Sequence, residues 1–492
     1  MIRRALVAVA LLCTAALAAP AAHASRTQES TFQDDNHLIY TTPDAAARTM
    51  DRLKALGADR LRITVLWSAI APDIGSERKP AGFDGADPGA YPSGVWNNYD
   101  TVVRLAAERG LGVNVNLTVP GPLWATGASP RPDIANRYAP DPGEFGDFVR
   151  AVGRRYPQVG YWTIQNEPNQ PGWLDPQWVR NRGHWVEASP SLYRGLVDAA
   201  WRALQDTGHG RDTILIGETA PKGVSVRGTT RALSPGRFIK RLYCRDDHLR
   251  LLRGAAATAR GCPASATRAA FRAAHPGLFA STGYAHHPYE LIFAPNRRPA
   301  HSDWYTIANL QRLSSLLRRV RGRTPLYLTE FGYQTDPPDP FGVSPARQAR
   351  YLNQAEYIAY RNRSVRTLSQ FLLYDDGPPF GQTFQSGLDY LSGKAKPAQA
   401  AYAFALWLPS PAVRRGGRLH VWGLLRAAPN GQAHRVNVLF RARGARRFHR
   451  IARLRTQAAR GYVDGHVRVS RPGSIRLQWG GVRSRVATFR LR

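Results

Sequence analysis

Cysteine, acidic residues and long apolar runs are the scarce components of this 492-residue sequence. With three cysteines and no cluster of cysteine, histidine and carboxylate at metal spacing, we expect no metal site and no cofactor. The one sustained apolar run, 5–19, is shorter than the roughly 20 residues that span a bilayer, so we expect no membrane span. A G-x-S-x-G nucleophile motif and a P-loop are also missing, which argues against serine-hydrolase and P-loop nucleotide chemistry.

The shortage of acidic residues gives a formal net charge of +33, from 68 lysines and arginines against 35 aspartates and glutamates. Such an excess can indicate nucleic acid, an anionic polymer or a membrane surface as partner. The arginines are spread along the chain and no nucleic-acid recognition motif accompanies them, so we predict no nucleic-acid partner. Two interpretations remain: solvated arginines on outer helix faces, or retention near an anionic cell wall or an acidic polysaccharide.

The N-terminal segment has the three parts of an export signal. Arg3 and Arg4 are basic, residues 5–19 are apolar, and Ala22-His23-Ala24 is a small-x-small cleavage site. We therefore predict a signal peptide over residues 1–24 and a secreted, extracellular protein, with an uncleaved anchor as the alternative.

Removal of that signal would take Cys13 with it and leave two cysteines. Cys244 and Cys262 are close in sequence, and cysteines in exported proteins usually pair. We predict a disulfide between them; two free thiols, or a reactive cysteine, are the alternatives.

From residue 28 to about 407, strand-like runs alternate with helix-like stretches, which is typical of parallel βα units. Strands are predicted at 30–34, 60–67, 112–119, 161–166, 213–217, 281–286, 326–329 and 367–374. Helices are predicted at 43–56, 95–109, 142–156, 191–206, 304–320, 345–361 and 397–408, with a less regular segment at 223–277. Eight units predict an α/β fold, a (β/α)8 TIM barrel, over residues 25–408.

After Pro409 and Pro411 the pattern changes to short alternating strands separated by glycine, proline and asparagine. This pattern predicts a small all-β, sandwich-like C-terminal domain over residues 409–492.

Two glutamates stand at predicted strand ends, where barrel enzymes carry their working residues. Strand four ends in YWTIQNEPN with Glu167, and strand seven ends in LYLTEFGY with Glu330. Strands three apart in a ring of eight place these side chains across the barrel mouth from each other. A facing acid and carboxylate are what glycosidic cleavage requires.

The NEP on strand four and the EFG on strand seven resemble the catalytic signatures of glycoside hydrolase clan A, which includes cellulase-type, β-xylosidase-type and β-galactosidase-type families. The resemblance covers the barrel and implies a retaining mechanism. It implies that Glu167 is the acid/base, Glu330 the nucleophile and Asn166 the amide that binds the sugar 2-hydroxyl.

The same resemblance assigns supporting roles on two other strands. Arg62, in RITVLW, matches the arginine that hydrogen-bonds the nucleophile and keeps its pKa low. His287 and Tyr289, in AHHPY, match the H-x-Y pair beside the two carboxylates.

The sequence departs from the clan pattern at strands three and eight. Strand three lacks the histidine pair of the cellulase-type families, and strand eight ends in FLLYDD where many members carry a tryptophan. We predict that Trp124, Trp173 or Tyr374 supplies the missing stacking surface, because sugar CH faces pack on aromatic rings.

Four further polar residues at strand ends have open roles. Glu218, after strand five, is a rival carboxylate, either supporting or in contact with substrate. Asp375 and Asp376 bind sugar hydroxyls or cap a turn. His286 is expected to be structural.

Together these features predict a secreted retaining β-glycoside hydrolase that acts on an oligo- or polysaccharide by double displacement. The alternative is a non-catalytic carbohydrate-binding barrel protein at the cell wall.

Overall fold

The computed structural model describes residues 25–265 and 267–492. The predicted signal peptide, residues 1–24, lies outside the described residues. Among the helices that are described, none is both long enough and apolar enough to cross a bilayer.

Eight parallel strands close into a barrel whose order around the ring follows the chain. They are β1 (Glu29–Gln33), β2 (Arg60–Leu66), β3 (Gly112–Thr118), β4 (Tyr161–Ile164), β5 (Thr213–Thr219), β6 (Gly283–His286), β7 (Leu326–Leu328) and β8 (Val365–Phe371). The ring closes where β1 pairs with β8, from Glu29 opposite Thr367 to Gln33 opposite Phe371. The predicted TIM barrel and its eight strands are confirmed.

Helices cover the barrel strands, and several begin with a proline in the first turn, where its missing N–H costs nothing. Pro142–Arg155 is an example: its N-cap Asp141 accepts a hydrogen bond from the Glu144 amide at 2.9 Å. The α-helices are Asp35–Leu38, Pro43–Ala55, Trp67–Ile70, Asn97–Glu108, Pro142–Arg155, Ser189–Asp206, Pro235–Leu242, Gly254–Thr258, Arg268–Ala274, Pro276–Ala280, Leu310–Val320, Pro345–Tyr360 and Pro397–Ala403.

Two features of the barrel region differ from the prediction. The last helix ends at Ala403 rather than at residue 408, because Phe404–Trp407 forms a strand, β9, whose Phe404 and Leu406 are buried in the C-terminal core. In addition, Trp178–Asn181 and His184–Glu187 form an unpredicted hairpin in the loop after β4.

The C-terminal region consists of two sheets packed around one apolar core. Its later strands are β10 (Ala412–Val413), β11 (Arg418–Leu425), β12 (Arg435–Ala442), β13 (His449–Arg455), β14 (Tyr462–Arg468), β15 (Gly473–Trp479), β16 (Val482–Arg483) and β17 (Ala487–Leu491). One sheet has the order β9-β11-β14, and the other has the order β10-β17-β15-β12-β13 with β16 beside β15. The all-β, sandwich-like prediction is confirmed.

The predicted disulfide between Cys244 and Cys262 is present, with an S–S distance of 2.06 Å. The buried Arg194 guanidinium lies beside it and donates to the carbonyl oxygens of Leu242 at 3.0 Å and Gly261 at 2.7 Å. The bridge links two parts of the irregular 223–277 segment, and Arg194 attaches that segment to helix Ser189–Asp206.

A buried ion pair joins the C-terminal sheets to the barrel. Arg426, just after β11, lies 2.8 Å from a carboxylate oxygen of Glu356, and both side chains are almost completely buried. Arg426 also donates to Ser30 Oγ at 2.8 Å and to the Tyr402 carbonyl at 3.0 Å. The contact is close: a Cβ on Gly57, whose φ is +84°, would lie 2.2 Å from the Arg426 carbonyl oxygen.

We expect Arg426→Met to lower the free energy of unfolding by about 3–5 kcal/mol, because it leaves the Glu356 carboxylate buried without its cation. The matched control is Arg104→Met, which breaks an exposed pair with Glu108 and should cost at most about 1 kcal/mol. Urea unfolding followed by tryptophan fluorescence measures both; equal losses would contradict the role given to Arg426.

Candidate active site

A cleft of about 590 Å³ opens at the carboxyl ends of the barrel strands. Its lining includes Glu167, Glu330, Asn166, Tyr289 and Trp173. Residues that the sequence places on β4, β6 and β7 therefore meet at one opening, as expected for the ends of parallel barrel strands.

The two glutamates face each other closely. A carboxylate oxygen of Glu167, a carboxylate oxygen of Glu330 and the Nδ1 atom of His287 all lie within 4.8 Å of one another. Carboxyl groups about 5–5.5 Å apart allow direct attack on a sugar carbon, whereas wider pairs leave room for a water.

The backbone that presents Glu167 is strained. Gln165, Glu167 and Glu218 have φ angles of +66°, +36° and +44°, in the left-handed region that side chains other than glycine rarely adopt. The Glu167 amide donates to the Glu218 carbonyl at 3.0 Å, beside an irregularity in the pairing of β5 with β6. Strain of this kind, about 1–3 kcal/mol per residue, is typical of functional sites.

Glu330 accepts hydrogen bonds from β2, across the barrel, and from the loop after β6. Arg62 Nη1 donates to it at 3.0 Å and the Tyr289 hydroxyl at 3.1 Å, while His287 Nδ1 lies 3.5 Å away. Burial raises the pKa of Glu330, and the positive charges of His287 and Arg62 oppose that rise. The expected pKa-lowering effect of Arg62 is thus present, but burial outweighs it.

Arg62 connects the charged residues beneath the cleft. Its fully buried guanidinium also donates to Asn166 Oδ1 at 2.8 Å and Glu218 Oε2 at 2.9 Å, and hydrogen-bonds the Gln33 side chain. Because Arg62 occupies the Asn166 oxygen, the Asn166 amide nitrogen remains available to a ligand.

Glu218, the rival carboxylate, is completely buried and does not line the cleft. Burial alone would raise the pKa of Glu218, but Arg62 and His287 outweigh it and hold the pKa below its ordinary value. Glu218 is therefore an ionised support for these two cations and has no access to a ligand.

His287 lies between two carboxylates. Its Nδ1 is 2.9 Å from Glu167 Oε1 and its Nε2 is 2.5 Å from Glu218 Oε2. Although burial acts against the charge, Glu330 and Glu218 raise the pKa of His287 to about 10. Both ring nitrogens then carry protons, so His287 donates to Glu167 through Nδ1 and to Glu218 through Nε2.

Of the three aromatic residues predicted to stack on sugar, only Trp173 lines the cleft. Trp124 donates its indole N–H to the Pro72 carbonyl at 3.0 Å and packs edge-on against Trp67. Tyr374 packs on His37 at 4.7 Å. Both rings are occupied by neighbouring loops, a long-range effect that strand-end position does not reveal.

Of the remaining polar residues, one lines the cleft and two are buried. Asp376 lines the cleft and accepts from Asn36 Nδ2 at 2.8 Å. Asp375 is buried against the Lys396 ammonium at 2.6 Å. His286 is buried, and burial lowers its pKa to about 3, so it is neutral and structural.

Sequence reasoning missed the polar residues at the end of β1 and directly after it. Gln33, Asp35 and Asn36 line the cleft, and burial raises the pKa of Asp35 to about 6. The signal was present in FQDDN, a polar cluster directly after a predicted strand.

No protein-family model and no curated protein matches this chain. Solved structures with a similar fold include a family 39 glycoside hydrolase from the gut symbiont Bacteroides cellulosilyticus WH2 (13% identity, 91% of this chain and 80% of that chain, TM-score 0.48). A GH5_18 structure from Streptomyces cattleya with GlcNAc gives 15% identity, 80% and 85% coverage and a TM-score of 0.46. A β-glucosidase from Thermotoga maritima in complex with castanospermine is 12% identical, with 76% of this chain and 96% of that chain covered and a TM-score of 0.46.

The raised pKa of His287 predicts a stability change above neutral pH. The folded protein holds a proton up to about pH 10, whereas the unfolded chain releases it near the ordinary value of 6.5. This contribution is complete below pH 6.5 and is lost as pH rises to 10, by up to about 1.4 kcal/mol per pH unit. His287→Gln, which cannot titrate, should lack this part of the slope in urea unfolding at pH 6 to 10.

A second measurement does not depend on folding of the variant. In wild type, the ¹⁵N chemical shifts of both ring nitrogens of His287 should remain those of an imidazolium at pH 8. A neutral ring at pH 8 would contradict the assignment.

Proposed function

We propose that this protein is a secreted retaining β-glycoside hydrolase of clan A type, with Glu330 as nucleophile and Glu167 as acid/base. The observation that supports it is the pair of carboxylates whose oxygens lie within 4.8 Å at the barrel mouth. That spacing suits direct attack by one carboxylate and proton donation by the other.

In the proposed reaction, the Glu330 carboxylate attacks the anomeric carbon while Glu167 gives its proton to the departing glycosidic oxygen. The resulting glycosyl ester on Glu330 is then cleaved by water, from which Glu167 takes a proton. The enzyme returns to its starting protonation state, and the sugar keeps its anomeric configuration after two inversions.

The hydrogen-bond donors support this division of roles. Glu330 accepts from the permanently charged Arg62 and from Tyr289, and both favour its ionised form. Burial raises the pKa of Tyr289 well above its ordinary value, so its hydroxyl remains a donor. Glu167 is 20% exposed to the cleft, where it can reach a leaving oxygen.

We expect Glu330→Gln and Glu167→Ala each to lower kcat on aryl β-glycosides by roughly 10²–10⁴ or more, because each removes a group that acts in the transition state. Glu108→Gln, an exposed carboxylate change on a barrel helix, is the matched control and should retain activity. Azide should partly restore the Glu167→Ala variant, and proton NMR should show the β anomer as first product.

The outcomes distinguish the alternatives. Wild-type turnover in both variants would overturn the proposal, and the α anomer as first product would overturn its retaining mechanism. Sugar binding by wild type without hydrolysis of any glycoside in a broad panel would favour the carbohydrate-binding barrel.

A second proposal concerns partners and rests on the C-terminal sheets. Residues 409–492 contain twenty arginines and one acidic residue, Asp464. In β12, Val436, Val438 and Phe440 point into the core, so the alternate positions face outward. The outward side of this sheet carries an arginine face, defined as Arg435, Arg441, Arg450, Arg453, Arg455, Arg476 and Arg483.

Like charges meet directly on the arginine face. Arg435 pairs across strands with Arg455, and the guanidinium groups of Arg441 and Arg476 both lie within 5 Å of the Phe448 ring centroid. In the described part of the chain, no salt bridge neutralises any of the seven. Directly opposed like charges destabilise a sheet unless an anion compensates them.

We propose that the arginine face retains the protein on an anionic cell-surface polymer. Replacing Arg441, Arg453 and Arg476 with glutamine should lower the NaCl concentration that elutes the protein from immobilised polygalacturonate, because salt screens such contacts. The control replaces the exposed barrel arginines Arg211, Arg318 and Arg319 with glutamine. Equal shifts in the two variants would show that total charge, rather than this face, governs retention.

A further inference from the structure

Exposed apolar side chains are concentrated on one side of the catalytic cleft. Eleven large hydrophobic residues are exposed in the described part of the chain, and seven of them, Leu391 and six others, lie on the loops after β6, β7 and β8. We call these six the apolar wall: Leu291, Ile292, Phe293, Phe341, Phe380 and Phe384.

The three loops that carry the apolar wall are bound to one another. The Tyr333 hydroxyl donates to the Phe293 carbonyl at 3.0 Å, which joins the β7 and β6 loops. The Thr335 amide donates to the Gln385 carbonyl at 3.2 Å, and the Gln385 amide donates to Gln334 Oε1 at 3.1 Å, which join the β7 and β8 loops. The apolar wall is therefore a built surface on adjacent strands.

The apolar wall belongs to the same cleft as the catalytic pair. Leu291, Ile292, Phe341 and Phe384 line it together with Glu330. Phe341 is 72% exposed, and Leu291 combines 58% exposure with a left-handed φ of +68°. A contiguous patch of exposed apolar side chains is typical of a binding surface. Strained backbone at an exposed leucine is likewise typical of a functional site, because packing does not explain it.

The chemistry of the apolar wall does not match a chain of sugars. None of its six side chains carries a hydrogen-bond donor or acceptor for sugar hydroxyls, since Leu291 and Ile292 are branched aliphatics and the other four are phenylalanines. Polar groups are found instead on the cleft floor, where Gln33, Asn36 and Asn166 lie near the catalytic carboxylates. The floor can therefore hold the sugar of the reacting bond, and the wall a different chemical group.

We propose that the leaving group of the substrate is apolar, so that the natural substrate is a glycoside of an alkyl-chain or similarly apolar aglycone. This inference rests on the proposed function and replaces the oligo- or polysaccharide expected from the sequence with a single sugar joined to an apolar group. The sugar lies on the floor, the scissile oxygen lies beside Glu167, and the aglycone covers the apolar wall.

The test compares n-alkyl β-glycosides from methyl to octyl, each below its micelle concentration, on the sugar that gives activity as an aryl glycoside. We expect kcat/KM to rise tenfold or more from methyl to octyl, because each added methylene is transferred from water to the apolar wall. In the Leu291→Ser, Phe341→Ser double variant, the octyl-to-methyl ratio should fall to within about threefold of unity. Ile74→Ser is the control: Ile74 is 49% exposed but does not line the cleft, so the ratio should persist.

Each result has one interpretation. Wild-type hydrolysis with no dependence on chain length overturns the inference and leaves the proposed function intact, whereas absence of hydrolysis of any glycoside overturns the proposed function itself. A ratio lost equally in Ile74→Ser also overturns the inference. Two further results overturn the inference when the wild-type octyl-to-methyl ratio is near unity. One is binding to phosphatidylglycerol vesicles, and the other is a dimer in light scattering, in each case abolished in the double variant. The apolar wall would then contact a bilayer or a second copy of the chain.

Discussion

The site depends on a balance of charge beneath the barrel mouth. Two buried cations, Arg62 and His287, lie among three carboxylates, Glu167, Glu218 and Glu330. With every carboxylate ionised the group carries one excess negative charge, which burial penalises. Glu167, whose side chain is 20% exposed, is the carboxylate with most access to the cleft. The positive charges of Arg62 and His287 hold the pKa of Glu218 below its ordinary value and oppose the rise that burial causes in the pKa of Glu330.

The fold accepts local strain to form this network. Left-handed backbone at Gln165, Glu167 and Glu218 turns the ends of β4 and β5 toward each other, and the Glu167 amide bonds the Glu218 carbonyl at 3.0 Å. Gly217 makes the turn possible, because a Cβ there would lie 2.6 Å from the Tyr284 ring. Strands paired in a closed ring supply enough hydrogen bonds to hold residues in conformations that a free loop would leave.

The sequence predicts what depends on local pattern and strand order. Apolar runs identify all eight barrel strands, and strand order alone places Glu167 and Glu330 at one opening. Contacts between distant loops are beyond such reasoning: nothing near Trp124 in the sequence shows that Pro72 takes its N–H, and nothing near Glu218 shows that Arg62 and His287 enclose it. Phe404–Trp407 continues a helical pattern, and only its pairing with β11 makes it a strand.

The absent tryptophan at the end of β8 has a structural counterpart in the apolar wall. Tyr374, which the sequence offers in its place, packs on His37 and leaves the cleft without that platform. Polar contacts from the residues after β1 and from Asn166 remain for the sugar, and these favour orientation more than affinity because water competes for each. Burial of an apolar group on the wall adds binding energy remote from the reacting bond, which an enzyme can use to position the bond between Glu167 and Glu330. In the proposed complex, the polar residues thus hold the sugar on one side of the scissile bond, and the apolar wall holds the aglycone on the other.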